Sequence, residues 1–193
     1  MGVAYGSKAV DALILEDYDR VAPVGTGPAK VGGNYSPLVR HIEGAKPEYG
    51  ILLHLDAATR TEIDEFSMSG FVGIKKDGER YTVVVPVLKR AIESVTSDSV
   101  CELAKEAGWA VEHRTVKYEE LPEFSEVLAV GTAGMLVPIK SITRKSTGDV
   151  FTYNGGSSEP GPCCAKLLAD LKAVQMGAAE DKFGWCTEVT EVK

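Results

Sequence analysis

The apolar residues of this 193-residue chain come in short runs set between glycines, prolines and acids. Runs this short suit strands, because a buried helix needs a longer stretch with a period near 3.6. Val10 to Leu15 and Ile51 to Leu55 predict strands, the second closed by a turn at Asp56 to Thr59. Glu65 to Lys75 and Arg80 to Val85 predict a hairpin whose two-residue turn is Asp77-Gly78. Val111 to Tyr118 alternates like a half-buried strand. Glu126 to Val137 reads as two strands joined at the glycine-bearing bend Gly131-Thr132-Ala133-Gly134, and Thr147-Gly148-Asp149 as a further turn. Helices are expected at Ser36 to Gly44, at Ser97 to Ala107 with Gly108 as its stop, and at Cys163 to Met176, where Leu167, Leu168, Leu171 and Val174 recur on one face. Tyr118 to Phe124 adds a short helical turn, and Tyr153 to Pro162 a Gly/Ser/Pro-rich loop. The mixture predicts an α+β domain built on a curved, largely antiparallel sheet.

The formal net charge of −7 and the lack of a Lys/Arg cluster interleaved with aromatics argue against nucleic acid or an anionic membrane as partner. A small-molecule substrate fits better. No apolar run approaches the roughly 18 residues that span a bilayer. The N-terminus lacks a signal-peptide pattern, and Gly6 stands where a myristoylation signal wants Ser or Thr, so the expected compartment is cytoplasmic. Cys101, Cys163, Cys164 and Cys186 show no C-x-x-C spacing, and His41, His54 and His113 are far apart. Buried thiols are expected, with no metal and no disulfide framework.

One stretch carries chemistry. In Gly25-Thr26-Gly27-Pro28-Ala29-Lys30-Val31-Gly32-Gly33-Asn34-Tyr35 a lone lysine sits among glycines. Glycines let backbone approach a ligand closely and permit positive φ, so the Lys30 amine could be displayed to a planar ligand and condense with its aldehyde. The competing reading is a surface loop with an ordinary solvated lysine. The spacing matches neither G-x-x-x-x-G-K-[ST] nor G-x-G-x-x-G.

Thr26 to Tyr35 closely resembles the Schiff-base lysine segment of branched-chain aminotransferases, the fold-type IV pyridoxal-phosphate enzymes. Thr61-Glu62-Ile63-Asp64-Glu65-Phe66-Ser67-Met68-Ser69-Gly70-Phe71 resembles that family's glutamate strand, Val130 to Gly134 its Gly-Thr-Ala loop, and Glu180 to Trp185 its C-terminal ending. Glu65-Phe66-Ser67 and Val95 to Ser99 resemble the fungal branch in particular. The resemblance implies a barrel-like β domain with outer helices, the C-terminal domain of fold-type IV. Residues 1–29 form a lead-in strand and linker to a single catalytic-type domain, 30–193. It implies pyridoxal 5′-phosphate as cofactor, with Lys30 as the amine, Glu65 against the ring nitrogen and Tyr35 as donor to the phenolic oxygen. Val95 and Thr96 would hold the phosphate at a helix start, and Thr132 and Ala133 would complete that cup or meet the substrate carboxylate.

Family members carry an N-terminal domain ahead of this point, which supplies an arginine to the phosphate and walls the substrate pocket. Here Met68 and Gly70 replace the usual Thr and Asn, and Glu93-Ser94 the usual Pro-Gly. An acid at Glu93 would repel a phosphate unless it points away. Three readings follow. The first is a compact homodimeric aminotransferase-like enzyme working at the Cα of an amino acid or amine, by transamination or related racemase or lyase chemistry. The second is a cofactor-independent isomerase or cyclase of a secondary-metabolite pathway that uses the vacated cleft. The third is a non-catalytic half, such as a subunit that pairs with a separate N-terminal domain.

Overall fold

The computed structural model describes residues 8–22, 24–87 and 91–189. The first seven residues of the expected lead-in lie outside these. The strands are β1 (Val10–Ile14), β2 (Ile51–Leu55), β3 (Ile63–Phe66), β4 (Gly70–Asp77), β5 (Arg80–Pro86), β6 (Ala110–Arg114), β7 (Glu126–Gly131), β8 (Met135–Arg144) and β9 (Asp149–Thr152). The helices are α1 (Leu38–Ala45), α2 (Val95–Glu106) and α3 (Pro162–Gln175).

All nine strands join one sheet, ordered β3-β2-β1-β8-β7-β4-β5-β6, with β9 against β8. Pairs β2–β3, β4–β5, β4–β7, β7–β8 and β8–β9 are antiparallel, whereas β1–β2, β1–β8 and β5–β6 are parallel. The sheet curls until its two ends meet. The Ile63 N–H donates to the Val116 carbonyl at 2.8 Å, the Tyr118 N–H donates to the Thr61 carbonyl at 2.8 Å, and Glu62 bridges Lys117. This curled, barrel-like mixed sheet with helices outside is the expected fold class.

Each face of the curl has its own core. Ala12, Leu53, Ile63, Phe66, Phe71, Val127 and Ile142 fill the inside, while Val72, Ile74, Val83, Leu128, Val130 and Leu136 on the outside meet α2 and α3. Period-2 alternation sends neighbouring residues to opposite faces, which lets one strand serve both cores. Along α3, Leu167, Leu168 and Leu171 are buried, and α1 lays Leu38 and Ala45 against Leu52. Cys101, Cys163 and Cys164 are buried, and burial pushes their thiols up to about 11, 12 and 12, so they are packing residues.

Three local expectations need correction. Glu65 to Lys75 is not one strand: β3 ends at Phe66 and turns through Ser67 and Met68 before β4 begins. β3 pairs with β2 while β4 pairs with β5 and β7, so the curl requires a break there. In the hairpin Asp77 pairs with Arg80, which makes the turn Gly78-Glu79, with Gly78 at φ 57°. A side chain reaches that conformation only at a cost. The strand expected to run to Tyr118 ends at Arg114, because Val116 to Tyr118 leave β6 to close the curl.

Candidate functional site

A cavity of about 210 Å³ lies between the glycine loop, β3, the start of α2 and the β7–β8 turn. Lys30, Tyr35, Glu65, Val95, Thr96 and Thr132, expected from the sequence, all line it. Ala133 follows Thr132 in the same turn, exposed and outside that lining. Met68, Gly70 and Glu93, where the chain departs from the family pattern, line it as well.

The glycine loop is shaped by its asparagine. Neither Gly32 nor Gly33 has a positive φ, so the freedom expected of them is not what bends the chain. Instead the buried Asn34 amide donates to the carbonyls of Thr26 and Ala29, each at 2.7 Å, and Thr26 Oγ1 donates to Asn34 Oδ1 at 2.6 Å. A 3₁₀ turn over Gly32–Asn34 follows. This staple leaves Lys30 exposed, with Nζ donating to Tyr35 Oη at 3.1 Å.

Glu65 is 6% exposed, and its Oε1 lies 2.6 Å from an Nη of Arg20, itself 5% exposed. The two groups are in direct ion-pair contact, both buried. Burial pushes its pKa up to about 7; Arg20 pulls it down, Asp64 raises it, and Lys30 pulls it down. Arg20 also donates through Nε to the Ser67 carbonyl at 2.9 Å and through its other Nη to Tyr35 Oη at 3.4 Å. Behind Ser67, His54 Nε2 lies 2.8 Å from Ser67 Oγ. Burial, with Arg20 adding to it, lowers His54 to about 3 and keeps the imidazole neutral.

At the third side, Ser94 caps α2 by accepting the Ser97 N–H at 3.1 Å, and the first helical bond is Asp98 N–H to Ser94 O. The amides of Val95 and Thr96 precede that bond, so their positive end is offered to the cavity. Sequence reasoning missed Arg20 and Asn34. Arg20 closes the acidic segment Asp17-Tyr18-Asp19 and reads as a surface residue. The available signal was chemical: a glutamate buried on a strand needs a cation, and an arginine stands ten positions before the lysine.

The amino-transferase class IV family model matches residues 5–142. The chain is similar to the aminotransferase poxL of Penicillium oxalicum, 54% identical over 187 residues that cover 96% of this chain and 51% of that protein. It is likewise similar to the aminotransferase atnJ of Emericella nidulans, 53% identical, covering 97% of this chain and 55% of that protein. Among solved structures, the branched-chain amino acid aminotransferase of Escherichia coli superposes with a TM-score of 0.76 at 28% identity, covering 93% of this chain and 56% of that one. The chain thus spans about half the length of the curated relatives it matches.

Proposed function

Because the chain belongs to the class IV aminotransferases, we propose that its cavity takes pyridoxal 5′-phosphate and serves transamination, or related chemistry, at the Cα of an amino acid or amine. One observation carries this reading: an exposed amine, a phenol and a buried carboxylate converge on one cavity whose remaining side is a helix N-terminus. The donor set suits the cofactor. Glu65 is a buried carboxylate on the cavity wall, as a protonated ring nitrogen would require.

When bound, pyridoxal phosphate supplies a ring that takes up the electrons released at the substrate Cα. Lys30 Nζ would hold the cofactor and would be the base for the Cα proton. Tyr35 Oη, 3.1 Å from that amine, orients it and donates to the phenolic oxygen. Glu65 would keep a proton on the ring nitrogen, and the Val95 and Thr96 amides with the Thr96 and Thr132 hydroxyls would receive the phosphate. On the open side, Met68 is 65% and Val95 77% exposed; a second copy of the chain or an N-terminal domain would cover them and exclude water. No helix among the described residues is long and apolar enough to cross a membrane.

An absorption titration with pyridoxal phosphate tests the reading. The protein should give a visible band distinct from that of the free cofactor, shifting on addition of amino acids and absent from Lys30→Ala. A Lys30→Ala spectrum identical to that of the unaltered protein would defeat it, and the absence of any protein-dependent band would favour acid–base work in a cofactor-free cleft.

A further inference from the structure

We propose that Arg20 is a positioning residue that ties Glu65 and Tyr35 into one coupled unit, setting the charge of the acid and the placement of the phenol through a single guanidinium. The geometry points there directly. Three nitrogens of one fork are used in three directions: Nε to the Ser67 carbonyl at 2.9 Å, one Nη against Glu65 Oε1 at 2.6 Å, and the other Nη to Tyr35 Oη at 3.4 Å, with the guanidinium carbon 5.2 Å from the Tyr35 ring centre. The Nε bond anchors the fork to the turn that ends β3, and that turn is itself held by Ser67 against the neutral His54. Only a planar fork reaches an acid, a carbonyl and a phenol together, whereas a lysine in its place would offer one point charge.

The consequence for Glu65 is electrostatic. Left alone at this depth the carboxyl would be neutral near pH 7 and unable to pair with a protonated ring nitrogen. The Arg20 charge is the nearest influence opposing that, helped by Lys30 from the loop and opposed by Asp64 on the same strand. The adjoining cavity, which Glu65 also lines, adds Glu93, Asp98 of α2 and His113 of β6. Lys30 is held in turn by Tyr35 Oη, so the unit runs from the acid through Arg20 and the phenol to the amine. The inference rests on the cofactor reading for its purpose, but its test needs no cofactor.

The test is a carboxyl-carbon NMR titration of the 193-residue chain labelled at glutamate, with the Glu65 signal assigned by its loss in Glu65→Gln. Arg20→Gln should raise the Glu65 midpoint by about one to three pH units, the range for removing an opposite charge in contact. Arg20→Lys, which keeps the charge, should bring the midpoint most of the way back while the Tyr35 ring signals stay as disordered as in Arg20→Gln. A midpoint unmoved in Arg20→Gln, or equally high in both variants, would overturn the proposal. If Arg20→Gln does not fold, the unaltered protein decides: the Arg20 guanidinium nitrogens should titrate with the Glu65 midpoint, and nitrogens silent through that range would overturn it. Failure of pyridoxal phosphate to bind would leave every one of these titrations readable and would count against the cofactor reading alone.

Discussion

Glu126 and Glu65 are buried to nearly the same degree, 5% and 6% exposed, and their surroundings have opposite consequences. Glu126 sits under the start of α3, where Oε1 accepts the Cys163 N–H and Oε2 the Cys164 N–H, each at 2.9 Å. The residue before that helix, Gly161, has no side chain to cap it, and Pro162 occupies its first turn. The chain thus places its own anion on this helix N-terminus, and both carboxylate oxygens are spent there. At α2 the cap is the smaller Ser94 hydroxyl, the first residues of the helix line a cavity, and the buried carboxylate that lines it too is paired with Arg20 rather than with the helix. A helix start completed from within serves folding, and one left open beside an amine, a phenol and an acid is available to a ligand.

The difference predicts which substitutions affect stability and which affect binding. Glu126→Ala strands two amide donors in the core and removes two charge-assisted hydrogen bonds, so the chain should lose about 3 to 5 kcal/mol of stability in chemical denaturation. A loss under about 1 kcal/mol would mean that water replaces the carboxylate and that the two helix starts are alike.

Two glycines sharpen the contrast. Gly161 has φ −68°, which any residue accepts, yet a Cβ there would run into the Glu126 carboxylate. Gly161→Ala should therefore cost about 1 to 3 kcal/mol. At Gly70 the nearest atoms to a new Cβ are Ser97 Oγ at 3.0 Å and Val130 Cγ2 at 3.4 Å, and the serine can rotate. Gly70→Ala should change stability by under about 1 kcal/mol. Equal stability losses in the two variants would erase the distinction.

Glu65 and Asp56, both buried, differ in pH response. The Glu65 pKa is raised from 4.5 to about 7, so between those values the folded chain holds a proton that the unfolded chain has released. Its contribution to stability is complete below pH 4.5 and is lost as pH rises through about 7, with a slope of at most about 1.4 kcal/mol per pH unit. Asp56 has the opposite sign. Its oxygens accept the Thr59, Thr61 and Glu62 amides and, outweighing the effect of burial, lower it to about 2, so its contribution is present above pH 3.8 and fades as pH falls through about 2. Denaturation of the unaltered chain and of Glu65→Gln between pH 4.5 and 7.5 should give curves that differ in slope over that window. Parallel curves would place the Glu65 proton outside it.

Strands and helices were legible because apolar periodicity is a local property, and β1, β2, α1 and α3 start and stop within a residue or two of where it places them. The family motifs brought six of seven expected site residues to one cavity. What escaped depends on residues far apart in the chain. Arg20 meets Ser67 across 47 positions and Glu126 meets Cys163 across 37, and no periodicity records such pairings. The break between β3 and β4 was hidden for the same reason, since it follows from which strands each one pairs with rather than from Ser67-Met68-Ser69 itself.

The smallest expected effect tests the open helix start most directly. Glu93 is exposed, stands just before α2 and lines the same cavity as Val95 and Thr96. A carboxylate there opposes any anion that those amides attract, but water screens it, so the penalty is well under 1 kcal/mol at ordinary ionic strength. Glu93→Gln should tighten pyridoxal phosphate binding by about threefold at 0.01 M salt, and the gain should shrink by 0.1 M as the screening length falls from about 30 to about 10 Å. Pyridoxal, which lacks the phosphate, should bind the two forms equally. A gain shared by pyridoxal would place the effect at the ring rather than at the helix start, and weaker binding would make Glu93 a ligand contact. In either case the asymmetry between α2 and α3 would have to rest on Glu65 and Lys30 instead of on the helix amides.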